Sequence, residues 1–380
     1  MDNPFPTSAY TSPEYFCDRD TETKKIIAAL DNHRNLTLHS IRRIGKTGLI
    51  HHVFEQLKSR KDIITVYVDI MDTTSEAEFM QKFIAMTLQT FYKESKGLLK
   101  NLSRAFSKYK PKITLDPLTG MPAVELDIVT KSEVNGSLRD LMTEVKKRKE
   151  TIVISLDEFQ QIEKYESGRI AATLREYVQL IPNLRFIFSG SEQGLLLNMF
   201  VSPKHALYRS TQLFGLEKIE PNIYKKFICN HFLKRKKKIE QEQIKDILSW
   251  TCTHTFYTQY FCNRLFEKAQ NIVRESEIAE VKKTIFKENE YYYYNYKRIL
   301  SFNQWKLLTA IAKEESIVEI TSKDFISKYK LGAHSTVKKS AIYLVENELL
   351  YTTHDDEKEK LRYHMYDPFL MRWIQSKNYT

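Results

Sequence analysis

The sequence predicts an α/β core built on a parallel sheet, then an all-helical segment, then a small helical unit ending in a β-hairpin. Three observations predict it. Short β-branched runs alternate with helix-periodic stretches over residues 1–215, as in strand–helix–strand units. Residues 216–296 keep helix periodicity without further strands, forming a lid. Residues 297–380 read as three helices and two alternating strands around a polar turn. These ranges are the expected domains, with a hairpin-bearing insertion at about 97–132.

The chain opens with an irregular lead-in holding Pro4, Pro6 and Pro13, then a helix from Thr23 to Asn32. Asp18 or Asp20 suits its N-cap. A second reading has Phe16 and Arg19 flank a nucleotide, the aromatic near the base. Next, an alternating apolar run from Leu36 rises to Ser40 as a strand, and Gly45-Lys46-Thr47 opens a helical pattern with Leu49, Ile50, Val53, Phe54 and Leu57. Strand, loop, Gly-Lys-Thr and helix is the context that a P-loop requires. Ile41, Arg42, Arg43, Ile44, Gly45, Lys46, Thr47 and Gly48 are the candidate nucleotide-binding residues. Loop N–H groups and the helix N-terminus offer partial positive charge to phosphates. Lys46 adds a full charge for the β- and γ-phosphates, and the Thr47 hydroxyl suits Mg²⁺. Ser40 stands where the pattern asks for a first glycine. A small residue still turns there, and the more demanding glycine, Gly45, is present.

Asp62 to Ile70 is a nearly continuous β-branched run, as in a strand buried on both faces. A helix from Ser75 to about Lys96 runs into a Lys-rich segment to Lys110, and Lys112 to Val129 alternates around a Thr119-Gly120 turn. A helix from Asn135 to Lys149 ends in cations that suit its carbonyl end. Then Thr151-Ile-Val-Ile-Ser-Leu-Asp157-Glu158 runs an apolar strand into two carboxylates, the Walker B pattern. Asp157 would hold Mg²⁺ and Glu158 would polarise the attacking water. Together with the upstream loop, this predicts a P-loop NTPase fold. After a helix from Arg169 to Leu180, the strand Asn183 to Ser191 ends in small polar groups. Ser189 and Ser191 are sensor candidates for the γ-phosphate or the water, and equally N-cap residues. Gly190 to Gly194 lacks the spacing of a serine hydrolase elbow. Arg209, ahead of a short fifth strand from Thr211 to Gly215, is an arginine-finger candidate or a salt-bridged surface residue.

Four helices fill the lid, about Pro221 to Lys237, Gln241 to Thr251, Phe256 to Asn271 and Glu275 to Asn289. Lys234 to Lys238 closes the first of them, where the macrodipole favours cations. Tyr291-Tyr-Tyr-Tyr294 reads as an aromatic junction for domain packing, or as a platform for bases. The last unit has helices at Asn303 to Ala312, Ser322 to Tyr329 and Gly332 to Asn347, the third capped by Ser335, and a wing over Leu349 to Tyr366. That is a winged helix, with Ser335, Lys338 and Lys339 as candidate DNA contacts. Its tip, Asp355 to Glu359, is not basic, which suits a protein contact instead.

Length and composition frame these readings. With 380 residues and 42% hydrophobic content the chain can bury a sizeable core, and a formal net charge of +11 invites a polyanion. Cys17, Cys229, Cys252 and Cys262 have no zinc spacing, so buried free thiols are expected. The N-terminus lacks a basic, then apolar leader, and no apolar run has bilayer length, so a soluble cytoplasmic protein without a membrane partner is expected.

Taken together, the chain resembles the archaeal-type AAA+/STAND ATPases, whose members also occur in bacteria. The resemblance covers nearly the whole length. Phe16-Cys-Asp-Arg19, Arg42-Arg-Ile-Gly-Lys-Thr47, Asp157-Glu-Phe-Gln160, Phe188-Ser-Gly-Ser191, Leu207-Tyr-Arg209, and Tyr366-Asp-Pro-Phe369 with Trp373 carry it. It implies an AAA+-like core with adjacent Walker B and sensor strands, a lid, a winged helix, and ATP with Mg²⁺ as ligands. The chain departs from it at Ser40 and at Thr253-His-Thr-Phe-Tyr257, which lacks the usual Gly and Pro. The expected function is an ATP-hydrolysing switch whose winged helix contacts DNA or a protein, with self-association open. The alternative is a non-hydrolysing nucleotide-gated scaffold or DNA-binding regulator.

Overall fold

The computed structural model describes residues 3–8, 10–94, 112–115, 122–125, 131–166, 168–355 and 359–377. They form two compact units, Arg19–Glu217 and Lys218–Thr380 joined by Met1–Asp18.

In the first unit the elements run α1 (Asp20–Asp31), β1 (Leu36–His39), α2 (Lys46–Leu57), β2 (Ile63–Asp69), α3 (Glu76–Glu94), β3 (Lys112–Leu115), β4 (Pro122–Glu125) and α4 (Lys131–Lys147). They continue as β5 (Thr151–Asp157), α5 (Arg169–Leu180), β6 (Leu184–Ser189), α6 (Gln193–Val201) and β7 (Gln212–Gly215). The five core strands pair in the order β2-β5-β6-β1-β7, every pairing parallel. All carboxyl ends therefore share one edge, the place where open α/β sheets bind ligands. Strands β5 and β6 are buried along almost their whole length because helices cover both faces, which their unbroken apolar runs had required. Phe159, Phe186, Phe188 and Phe200 fill the core beneath that edge. Strands β3 and β4 form the expected hairpin, and its Thr119-Gly120 turn lies outside the described residues.

Helix α1 corrects the capping expectation. Neither Asp18 nor Asp20 is the cap: Arg19 takes that position with a left-handed backbone (φ 75°), and Asp20 is already in the first turn. Thr23 N–H donates to the Arg19 carbonyl at 2.7 Å, so the ladder starts one residue before the second aspartate can serve it.

The second unit carries α7 (Pro221–Lys234), α8 (Gln241–Trp250), α9 (Thr255–Lys268), α10 (Glu275–Ile299), α11 (Phe302–Glu314), β8 (Ser316–Val318), α12 (Lys323–Tyr329), α13 (His334–Glu346), β9 (Leu350–Asp355), β10 (Lys360–Met365) and α14 (Pro368–Ser376). Its N-terminal strap is anchored by Phe5, fully buried among Phe227, Phe232 and Phe266, and by Asn263, whose amide donates to the Phe5 carbonyl at 2.8 Å. In the Lys234–Lys238 cluster, Lys237 donates to the Phe266 carbonyl at 2.6 Å and to that of Ala269, at the C-terminal end of α9. That cation is structural. Helix α10 is longer than expected and runs through all four tyrosines, of which Tyr293 is buried against Trp373.

The C-terminal part is a winged helix of α11, α12 and α13 with a sheet in the order β8-β10-β9, one strand more than the expected wing. Helix α14, begun by Pro368 and capped by the Asp367 carboxylate, closes it with a fully buried Trp373. Ser335 is not the cap of α13. The ladder begins at Ala333, whose carbonyl accepts from Thr336 N–H at 3.0 Å, because the left-handed Gly332 (φ 85°) lets the helix start earlier.

Candidate functional site

The loop after β1 leads from a buried strand into the N-terminus of α2. Gly45 lies at φ 108°, a conformation that a Cβ would strain, and it immediately precedes Lys46 as the expectation required. Arg43 also adopts a left-handed backbone (φ 62°), so the loop curls on itself. Ile44 packs into the core, while Arg42 and Arg43 face outward. The Lys46 ammonium is buried and donates to the Ser40 hydroxyl at 3.2 Å and to the Ser40 and Ile41 carbonyls at 3.4 and 3.5 Å. The hydroxyl at the first loop position therefore contacts the lysine.

Asp157, at the end of β5, is the hub. Its Oδ2 accepts from the Thr47 hydroxyl at 2.6 Å and the Tyr67 hydroxyl at 2.8 Å. Its Oδ1 accepts from the Ser189 hydroxyl at 2.6 Å and the Glu158 N–H at 3.1 Å. Four donors from four segments fix one carboxylate in place. Burial and the adjacent Asp157 charge hold the Tyr67 phenol far above its usual pKa, so it stays a donor. Its ring lies 4.4 Å from that of His51, whose burial lowers its pKa. In the β2–β5 register Asp69 stands opposite Asp157, and partial desolvation, then the nearby Asp157 and Glu158 charges, raise its pKa.

Among the described residues no group of three or more His, Cys, Asp or Glu side chains could hold a metal. Thr47 and Asp157 offer paired hard oxygens, the donor type of a Mg²⁺ that takes its other ligands from phosphates and water. The donor set fits that ion.

Glu158 has a left-handed backbone (φ 56°) that turns its side chain back toward the end of β6. Its Oε2 accepts from the Ser191 N–H at 3.0 Å, the Ser191 hydroxyl at 2.7 Å and the Gln160 amide at 2.7 Å. Among the described residues Oε1 accepts none. Gln160 reaches this position only because residue 190 is glycine: a Cβ there would meet Gln160 Oε1 at 1.9 Å. Gly190→Ala is therefore expected to expel Gln160 from Glu158 and lower ATP turnover at least several-fold, with nucleotide affinity little changed. Steady-state kinetics would check it, and unchanged kcat would show Gln160 to be idle.

Arg209 is exposed, and its guanidinium rests over the Tyr208 ring at 5.2 Å. Phe16 packs edge-on against Tyr10 at 5.6 Å within the second unit. Arg19, in the first unit, is buried and paired with Glu22 at 2.8 Å, its second terminal nitrogen without a partner. Ser335, Lys338 and Lys339 are exposed on α13. Sequence reading missed Tyr67, Gly190 and His39. The His39 ring lies against Gly215, and desolvation lowers its pKa most, with the nearby Lys46 charge acting in the same direction. Gln160, part of the Asp157-Glu-Phe-Gln160 run, carried no expected role.

Residues 16–257 match the family described as "ATPase domain predominantly from Archaea", and residues 291–376 match "Probable winged helix domain". Among solved structures, a Walker-type ATPase of Pyrococcus abyssi superposes with TM-score 0.66 at 18% identity, covering 98% of this chain and 99% of its own. The ORC2 protein of Aeropyrum pernix, in its ADPNP–ADP complexes, superposes with TM-score 0.57 at 13% identity, covering 99% and 98%. At such identity these are likenesses of fold. No curated protein sequence matches the chain significantly. Because the first family match takes in more than half of the residues, the chain belongs to the ATPase family found predominantly in Archaea: it is a P-loop ATPase with a C-terminal winged-helix domain.

Proposed function

We propose that this ATPase is a hydrolysing molecular switch of AAA+/STAND type, in which nucleotide state in the core is relayed through the lid (216–296) to the winged helix (297–380). The observation that supports it best is the Glu158 carboxylate, tied through one oxygen to Ser191 and Gln160 beside an Asp157 that meets Thr47 at 2.6 Å. In this reading the amides from Ile41 to Gly48 and the Lys46 ammonium bind the phosphates of ATP, and Thr47 and Asp157 hold Mg²⁺. When bound, Mg²⁺ neutralises charge on the β- and γ-phosphate oxygens. Ser189 and Tyr67 position Asp157, and Ser191 and Gln160 position Glu158. With Oε2 occupied, Oε1 is the atom that takes the proton of the attacking water. Arg209, exposed over Tyr208, is the arginine-finger candidate, in cis or across a subunit boundary. The winged helix presents Lys338 and Lys339 beside exposed Ile342 and Tyr343, a mixed face suited to DNA or to a protein partner.

A phosphate-release assay on the parent and on Lys46→Ala tests the reading. The parent is expected to release phosphate in a Mg²⁺-dependent manner, and Lys46→Ala to lose at least tenfold of that rate together with nucleotide affinity. Equal release from both proteins would refute it.

A further inference from the structure

Helix α10 carries four consecutive tyrosines, and only Tyr293 is used in the core. Tyr291, Tyr292 and Tyr294 are 79%, 63% and 48% exposed; Tyr294 meets Trp373 edge-to-face at 5.3 Å and Tyr291 meets Tyr292 at 6.1 Å, which leaves much of their ring surface to solvent. They are not scattered. Steps of four, three and four residues place Lys287, Tyr291, Tyr294 and Arg298 on one helical face. A rise of 1.5 Å per residue spreads that face over roughly 16 Å. Beyond the helix end, Phe302 is 76% exposed, with the Lys306 ammonium 5.4 Å from its ring centre.

The charges around these rings are sorted. Glu288 is engaged by Arg264 at 3.2 Å and Tyr260 at 2.7 Å, and Glu290 by Lys377 at 3.1 Å. Lys287 and Arg298 have no carboxylate partner among the described residues. The surface thus reads cation, ring, ring, cation. A protein-binding core would deplete a lysine such as Lys287. Unpaired bases stacked on rings, with phosphates on the flanking cations, match the pattern, and the net charge of +11 acts in the same direction. Paired bases cannot offer their faces to the rings, so duplex is excluded from this mode.

We propose that the α10 face centred on Tyr291 and Tyr294 binds single-stranded nucleic acid, by stacking on the rings and phosphate contact to Lys287 and Arg298. Its residues are other than those of the nucleotide site and of α13.

Fluorescence anisotropy of a labelled oligothymidylate of about twenty nucleotides tests it, with circular dichroism confirming the fold of each variant. The parent is expected to bind. Tyr291→Ala with Tyr294→Ala should weaken binding roughly tenfold or more, whereas the corresponding double change to Phe should retain it. Lys287→Ala with Arg298→Ala should flatten the slope of log affinity against log salt by about 1.4. Lys24→Ala with Lys25→Ala, both exposed on α1, should change nothing. No binding by the parent, unchanged binding by the Tyr-to-Ala variant, or equal competition by duplex of the same length would overturn the proposal. A parent dimer in sedimentation that dissociates in the Tyr-to-Ala variant would assign the face to a second copy instead.

Discussion

Glu158→Gln is expected to bind ATP with the affinity of the parent and to hydrolyse it on the order of 10²–10⁴ times more slowly, the range for loss of a positioned general base. The amide keeps the size of the carboxylate and can still bond Ser191, so the loop should hold its shape. What it loses is a basic oxygen. The fall should therefore appear in kcat and leave nucleotide binding intact, a split that separates a chemical role from a structural one. Binding of a fluorescent ATP analogue alongside phosphate release measures both. A variant that turned over at the parent rate would remove Glu158 from the chemistry.

The second large effect is on stability. Phe188 is fully buried in β6, with its ring 4.5 Å from that of Phe159, 5.4 Å from Phe186 and 5.2 Å from Phe200. Phe188→Ala should destabilise the Arg19–Glu217 unit by about 3–5 kcal/mol, from lost burial and the cavity left behind. Phe188→Leu should cost less, about 1.5 kcal/mol. The probe matters. Trp250, Trp305 and Trp373 all lie in the other unit, so tryptophan fluorescence does not report this loss directly. Urea unfolding followed by far-UV circular dichroism does. A Phe188→Ala cost below about 1 kcal/mol would mean that the cluster is loosely packed.

The legible parts of the site were those in which one stretch of chain carries the chemistry. Gly45-Lys46-Thr47 and Asp157-Glu158 announce themselves because loop amides, cation, hydroxyl and carboxylates sit at fixed spacing on a strand end or helix start. The strands of the parallel sheet were legible because burial on both faces leaves a run such as Ile152-Val-Ile154 no polar position. Tyr67 was not. A tyrosine in a strand reads as packing, and only the β2–β5 register brings its hydroxyl to Asp157. Gly190 was hidden likewise, since its reason is the Gln160 amide arriving from another segment. The caps misled for a local reason. Small polar residues lie at the starts of α1 (Asp18, Asp20) and α13 (Ser335, Thr336), and backbone conformation at Arg19 and Gly332, rather than side-chain type, selects the start.

The buried Phe5 has a consequence for the order in which the protein is made. Its ring is enclosed by Phe227, Phe232 and Phe266, all translated more than two hundred residues later. At typical ribosomal rates that interval is roughly ten to fifty seconds, long enough for the Arg19–Glu217 unit to fold first. The strap must wait, apolar and uncovered, outside a finished domain. Nascent chains halted before α9 should therefore attract chaperones through their first residues.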